Sequence, residues 1–184
     1  MNKAKSGVTL LLVIVALMWF VRALDSFDTD GVSVAGYGVI PRTIGGLSGI
    51  LIAPLVHADW QHLIANTTPL LILGLLIAVR GADELLYVVL VTMLISGLGA
   101  WLFGAPHSQH IGASGIVLGF MSFLVVRSFN DHRISSFLIA VVVALLYAGS
   151  IALSLVPHAL FSWTMHFFGL VGGALAAKWR YSRS

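Results

Sequence analysis

The sequence predicts an all-α, polytopic membrane protein with six transmembrane helices. Three observations lead there. Of the 184 residues, 59% are hydrophobic and only 9% are charged, with a mean hydropathy of +1.00. The apolar residues gather into six runs of roughly spanning length, and the basic residues sit at the ends of those runs. A soluble domain carries about 25% charged residues, so this chain has too little polar surface to cover a water-facing globule. Bilayer solvent is the simple explanation. Residues 1–184 read as one membrane domain, with no room for a second.

A spanning helix needs roughly 20 apolar residues, within a range of about 17 to 25. On that ruler the segments are Val8–Leu24, Gln61–Val79, Leu85–Phe103, Ser114–Val126, Ile134–Leu155 and Thr164–Trp179, the fourth and sixth being short. The first follows Lys3 and Lys5 as a signal peptide would. Its apolar run is long for that, however, and Trp19, Phe20 and Arg22 make a poor cleavage site, so a retained helix is expected. The connection from Asp25 to about Leu55 is the longest. Its many glycines argue against a tight turn, and its apolar stretches Val32–Ile40 and Leu47–Val56 suit the membrane interface.

The net charge of +3 comes from ten Lys and Arg against seven Asp and Glu. These charges form no patch of the kind that binds nucleic acid; they report topology. With six spans, Lys3, Lys5, Arg80, Arg127, Arg133, Lys178, Arg180 and Arg183 share one side. Only Arg22 and Arg42 are left on the other, with Asp25, Asp28, Asp30 and Asp59. The positive-inside rule then places both termini in the cytoplasm; five spans would break the pattern. Cysteine is absent, which excludes disulfides, a thiol nucleophile and a thiolate metal site.

Polar side chains are costly in a bilayer, so those within the segments carry the information. Lone Ser and Thr mostly bond back to their own helix. Ser114 differs: it opens a helix within Gly112-Ala113-Ser114-Gly115. The flanking glycines let another backbone come close, and free N–H groups at a helix N-terminus face any oxyanion formed by attack of the serine. A serine needs a base, and His166 is available in the sixth segment. His166, Gly169 and Gly173 share a helix face, which small residues would seat against Gly115 and Gly119. In the second segment His62 and Asn66 are spaced i, i+4 on one face, and both can donate hydrogen bonds to an oxyanion. Each feature also has a plainer reading. Gly115 and Gly119 can simply be helix packing, His166 a histidine bonded across helices, and His62 with Asn66 a polar network holding the bundle. His57 and His62, five residues apart, suit a metal poorly, and no acidic residue lies inside the segments. His107 and His110, in a loop at i, i+3, are read as solvated.

Taken together, His57-x4-His62-x3-Asn66, Gly112-Ala113-Ser114-Gly115 and His166-x2-Gly169-x3-Gly173 resemble the rhomboid intramembrane proteases. The motifs occur in that family's order, each on the helix where the family has it. The resemblance covers essentially the whole chain, in the minimal six-helix bacterial form. It implies Ser114 as nucleophile and His166 as general base, with His62, Asn66 and the Ser114 N–H stabilising the oxyanion. It implies His57 as a structural member of its motif, and a first outer loop partly embedded in the membrane. Substrates would be single-span membrane proteins cut near the outer face of the cell membrane, with no cofactor and no metal. The oligomeric state is not encoded in any legible way. The chain departs from the family at three points: it lacks a Trp-Arg pair in the first loop, where Pro41-Arg42 stands, and it has Leu118 and Met165 near the nucleophile and the base. A serine–histidine pair without a carboxylate predicts slow turnover. Residues 104–111 and 156–163 are expected to rim a cavity that admits water. Two other readings are a non-catalytic relative that binds membrane clients, and a small transporter or channel lined by His62, Asn66 and His166.

Overall fold

The computed structural model describes residues 2–27, 34–131, 133–154 and 162–181. Asp28, Asp30, Val32, Arg183 and most of the second expected cavity rim (156–161) lie outside them. Seven α-helices are described: α1 (Lys3–Phe27), α2 (Ile44–Ile52), α3 (Trp60–Ala78), α4 (Ala82–Phe103), α5 (Ser114–Asn130), α6 (Ile134–Ser154) and α7 (Trp163–Tyr181). Six correspond to the expected segments, and the protein is a polytopic helical membrane protein. By length and composition α1, α3 and α4 each suffice to cross a membrane. The extra helix, α2, falls in the long first connection, where Thr43 caps it by accepting the Gly46 N–H at 3.0 Å.

The surface is what a bilayer requires. Leu86, Leu90, Leu94, Leu98 and Leu102 form an exposed stripe along α4 at every fourth residue, while Asn66, Thr67, Thr92, Ser96 and His166 are buried. Apolar side chains lose nothing by facing lipid, and these polar ones are held away from it inside the bundle. The helix ends differ from expectation at α4, which begins at Ala82. Glu84 therefore lies inside a helix, and it is buried.

Backbone proximity sets the packing. A methyl group at Gly169 would sit 2.3 Å from the Gly115 carbonyl oxygen, and one at Gly173 would sit 1.9 Å from that of Gly119. Helices α5 and α7 thus run parallel, in contact along their small residues. On the other side of α5, a methyl at Gly119 would meet the Thr92 side chain at 2.1 Å, so α4 descends antiparallel beside both. Helix α1 leans on α3, with Trp19 Nε1 donating to Thr67 Oγ1 at 3.1 Å.

One end of the bundle is bound by charge. Arg80 donates to Asp131 at 2.7 Å and to the Tyr181 hydroxyl at 3.1 Å; that hydroxyl donates to Glu84, which also accepts from Arg180 Nε at 3.1 Å. Burial alone would raise the Asp131 carboxyl, but hydrogen bonds from Ser136, the Arg133 backbone and Arg80 outweigh it and hold it below the ordinary carboxylate range. At the opposite end the first connection is clasped to α4. Arg42, with φ +57°, donates to the carbonyls of Leu102 (3.0 Å) and Gly104 (2.9 Å), and Trp101 Nε1 donates to the Thr43 carbonyl at 2.8 Å. Here a tryptophan from α4 and an arginine from the loop fasten the connection.

Candidate functional site

Helices α3, α5 and α7 all begin at the end opposite the charge network, and their first turns bring the singled-out residues together. Asp59 caps α3, accepting the His62 N–H at 2.7 Å, and His62 and Asn66 follow on one face. Helix α5 opens at Ser114 behind Gly112, whose φ of +100° is a left-handed conformation that an L side chain rarely adopts. A methyl there would also lie 2.8 Å from His62 Cε1 and Nε2, and 3.7 Å from Asn66 Nδ2. Gly112 is therefore required twice, by its turn and by the donors packed over it.

The Ser114 hydroxyl lies 2.8 Å from His166 Nε2. His166 is buried and Ser114 half-buried. With Asn66, Ala65, Pro69, Val117, Leu118, Met121 and Tyr147 they line a cavity of about 190 Å³. Ala113 precedes the first turn of α5 without a side-chain cap. The N–H groups of that turn therefore have no helix carbonyl to bond. An anion forming on an atom attacked by Ser114 would meet these N–H groups on one side and the His62 and Asn66 side chains on the other. The arrangement thus offers a hydroxyl in contact with a base and a group of donors beside it, which is the equipment for acyl transfer. Pro69 adds a local feature of its own. It has no N–H for the Ala65 carbonyl four residues back, so α3 lacks that helix bond beside the cavity that both residues line.

His57 lies outside α3 and ties it to α5. Its Nδ1–H donates to the Leu55 carbonyl (3.4 Å), and its Nε2 accepts the Ala113 N–H (3.4 Å), next to Ser114. Its ring meets that of His62 edge-on, with centroids 5.1 Å apart. Burial, and then the neighbouring His62, lower the His57 pKa from 6.5 to about 4. The unfolded chain takes up this proton near 6.5 and the folded protein only near 4. Folding stability from this residue is therefore complete above pH 6.5 and is lost as the pH falls toward 4, by about 3 kcal/mol over the full gap. The melting temperature in detergent is expected to fall between pH 7 and pH 4.5, and to fall less steeply in His57→Asn. Equal slopes would show that His57 is not the group responsible.

The sequence reading missed three participants. Tyr147, from α6, supplies the aromatic ring at the cavity that position 118 lacks; nothing in a uniformly apolar helix marks which residue will face inward. His110 is buried, not solvated, and only His107 of that pair is exposed. The cause is a two-way backbone bridge between His110 and Val39, which draws this loop under the first connection. Ser162 caps α7 by accepting the Met165 N–H at 3.2 Å; a serine just before an apolar run was a legible signal for it. Among the described residues, no group of three His, Asp or Glu side chains is placed to hold a metal ion.

Comparison with known proteins agrees with this architecture. The chain is 36% identical, over 180 residues, to proteins of Mycobacterium tuberculosis and Mycobacterium bovis described as uncharacterized. The match covers 93% of this chain and 74% of each of theirs. A Mycobacterium leprae protein, also described as uncharacterized, is 34% identical over 93% of this chain and 70% of its own length. The family model for the Rhomboid domain matches residues 44–183, from the start of α2 to beyond the end of α7 and through every residue of the site. The chain belongs to the rhomboid family.

Proposed function

We propose that this protein is an intramembrane serine endopeptidase that hydrolyses peptide bonds of single-span membrane proteins. The observation that carries the reading is the 2.8 Å contact between Ser114 Oγ and His166 Nε2 inside a cavity. Nε2 accepts the hydroxyl proton as Oγ attacks the scissile carbonyl. The resulting oxyanion is held by the Ser114 N–H, Asn66 Nδ2 and the His62 ring. His166 then returns the proton to the leaving amine, and the acyl-enzyme is released by a water that gives its own proton to the same nitrogen. No carboxylate is needed for these steps, provided that packing orients the imidazole.

The reading extends to topology. Six helices, α1 and α3–α7, span the cell membrane with both termini in the cytoplasm, because Arg80, Arg127, Arg180 and the lysines gather at the end away from Ser114. The cavity opens toward the extracytoplasmic side, and α2 lies at that interface.

The test is cleavage of a model single-span substrate by wild type, Ser114→Ala and His166→Ala in detergent or vesicles. Cutting that persists in Ser114→Ala would overturn the assignment. If wild type cuts nothing and a serine-directed fluorophosphonate leaves Ser114 unlabelled, the chain is a non-catalytic relative. Asn66→Ala is expected to lower kcat by about a hundredfold with little change in KM, because one Nδ2 hydrogen already bonds the His62 carbonyl at 2.9 Å and the other is used only once charge has developed on the scissile carbonyl oxygen. A change in KM alone would make Asn66 a substrate-binding residue instead.

A further inference from the structure

His110 lies in the α4–α5 connection, four residues before Ser114, and takes no part in the proposed hydrolysis steps. It is buried, with 6% of its surface exposed, and both ring nitrogens are engaged. Nε2 is 3.0 Å from Ser108 Oγ, and Nδ1 contacts Ser162 Oγ. The donors along this chain fix the tautomer. The Ser108 hydroxyl donates to the Ala105 carbonyl at 2.6 Å, so its oxygen accepts from Nε2–H. Nδ1 then carries the lone pair, and the Ser162 hydroxyl donates to it.

Ser162 passes the constraint into α7. Its Oγ accepts the Met165 N–H at 3.2 Å, and its carbonyl accepts the His166 N–H at 3.0 Å. The backbone of His110 is in turn fixed to Val39, with Val39 N donating to the His110 carbonyl at 2.9 Å and His110 N donating back at 3.0 Å. Val39 is fully buried. The first outer connection, the loop before α5 and the first turn of α7 thus meet at one residue, the first through its backbone and the last through its ring.

We propose that His110 is a positioning residue for His166: as a neutral acceptor for Ser162 it fixes the first turn of α7 and thereby holds the His166 imidazole against Ser114. The proposal rests on reading Ser114 and His166 as the reacting pair. The surroundings of His110 favour its neutral form, since burial, and then the nearby His166, lower its pKa below the ordinary histidine value. A positive charge on His110 would place an N–H where the Ser162 hydroxyl now donates, and would oppose the charge His166 acquires on taking the serine proton.

The experiment compares full-length wild type, His110→Ala, His110→Asn, Ser162→Ala and the double alanine variant. It measures steady-state cleavage of a single-span substrate and, on histidine-labelled protein, the ring ¹⁵N resonances of His166. Each alanine variant is expected to lower kcat by about tenfold or more with KM within about twofold, since a displaced base affects only the chemical step. The double variant should be no worse than the worse single, because both break one chain of bonds. Asparagine at 110 places Oδ1 near the former Nδ1 and should restore most of kcat. The His166 resonances should move in both alanine variants and return in His110→Asn. An unchanged kcat, losses that multiply in the double variant, or losses that track melting temperature while the His166 resonances stay fixed would each overturn the proposal. Should wild type cut nothing, or Ser114→Ala cut as well as wild type, the protease reading fails by itself. The His166 resonances then still decide the link: displacement in both alanine variants supports it, and unmoved resonances overturn it.

Discussion

Replacing Ser114 by alanine is expected to lower substrate cleavage by about a thousandfold or more, to the background of the assay, while leaving the protein folded. The serine is half-buried, and alanine fits wherever serine does, so the packing around Gly115 and His166 should persist. What disappears is the hydroxyl oxygen that contacts His166 Nε2 and would form the acyl bond. His166→Ala should cost about as much, since a serine hydroxyl without its base is a weak nucleophile at neutral pH. The double variant should be no worse than either single one, because the two groups act as a unit. Cleavage rates and fluorophosphonate labelling of Ser114, read beside melting temperature, check all three. Independent, multiplying losses would mean that the two side chains serve different steps.

Gly173→Val is expected to be the most damaging substitution away from the reacting atoms. Its first added carbon would lie 1.9 Å from the Gly119 carbonyl oxygen and 2.4 Å from Ser122 Oγ, which bonds the Leu170 carbonyl across the same crossing at 2.7 Å. An ordinary contact needs about 3.5 Å or more, so α7 must move away from α5. The strain should cost about 3 kcal/mol or more of stability. Because Ser114 and His166 sit one on each of these helices, the same displacement should lower kcat by about a hundredfold in whatever protein remains folded. Gly149→Ala, on α6, has no neighbour among the described residues within 4 Å of the added carbon and serves as the control. Thermal unfolding and kcat measured on the same preparations decide it. A Gly173→Val protein as stable and active as the control would show that the α5–α7 crossing is not the constraint described.

Much of this was legible in the sequence for identifiable reasons. Lipid exposure forces apolar runs of a particular length, so hydropathy suffices to place six of the seven described helices. Their ends are misjudged by a few residues where a polar residue such as Glu84 continues the helix. The pairing of Gly115 and Gly119 with Gly169 and Gly173 was open to inference because only small residues allow two backbones to approach. The extended first connection was harder: α2 is a short apolar helix in a stretch rich in glycine, where local propensity favours no regular structure and contact with α4 supplies the stability.

Chemical type and helical spacing determined, from the sequence alone, which side chains were candidates for the site and at which end of the bundle they would gather. Helix packing decided their distances. The 2.8 Å separation of Ser114 and His166, 52 residues apart, depends on how closely two backbones approach at Gly115 and Gly169. The same holds for His110, which sequence context marks as a solvated loop histidine. It is buried because the backbone of Val39, 71 positions earlier, pairs with it, and because its ring reaches Ser162 on the far side of α5 and α6 in the chain. Periodicity reports which face of an element is apolar, but hydrogen bonds between distant loops depend on where the helices carry the chain ends, and that position is a property of the packed bundle.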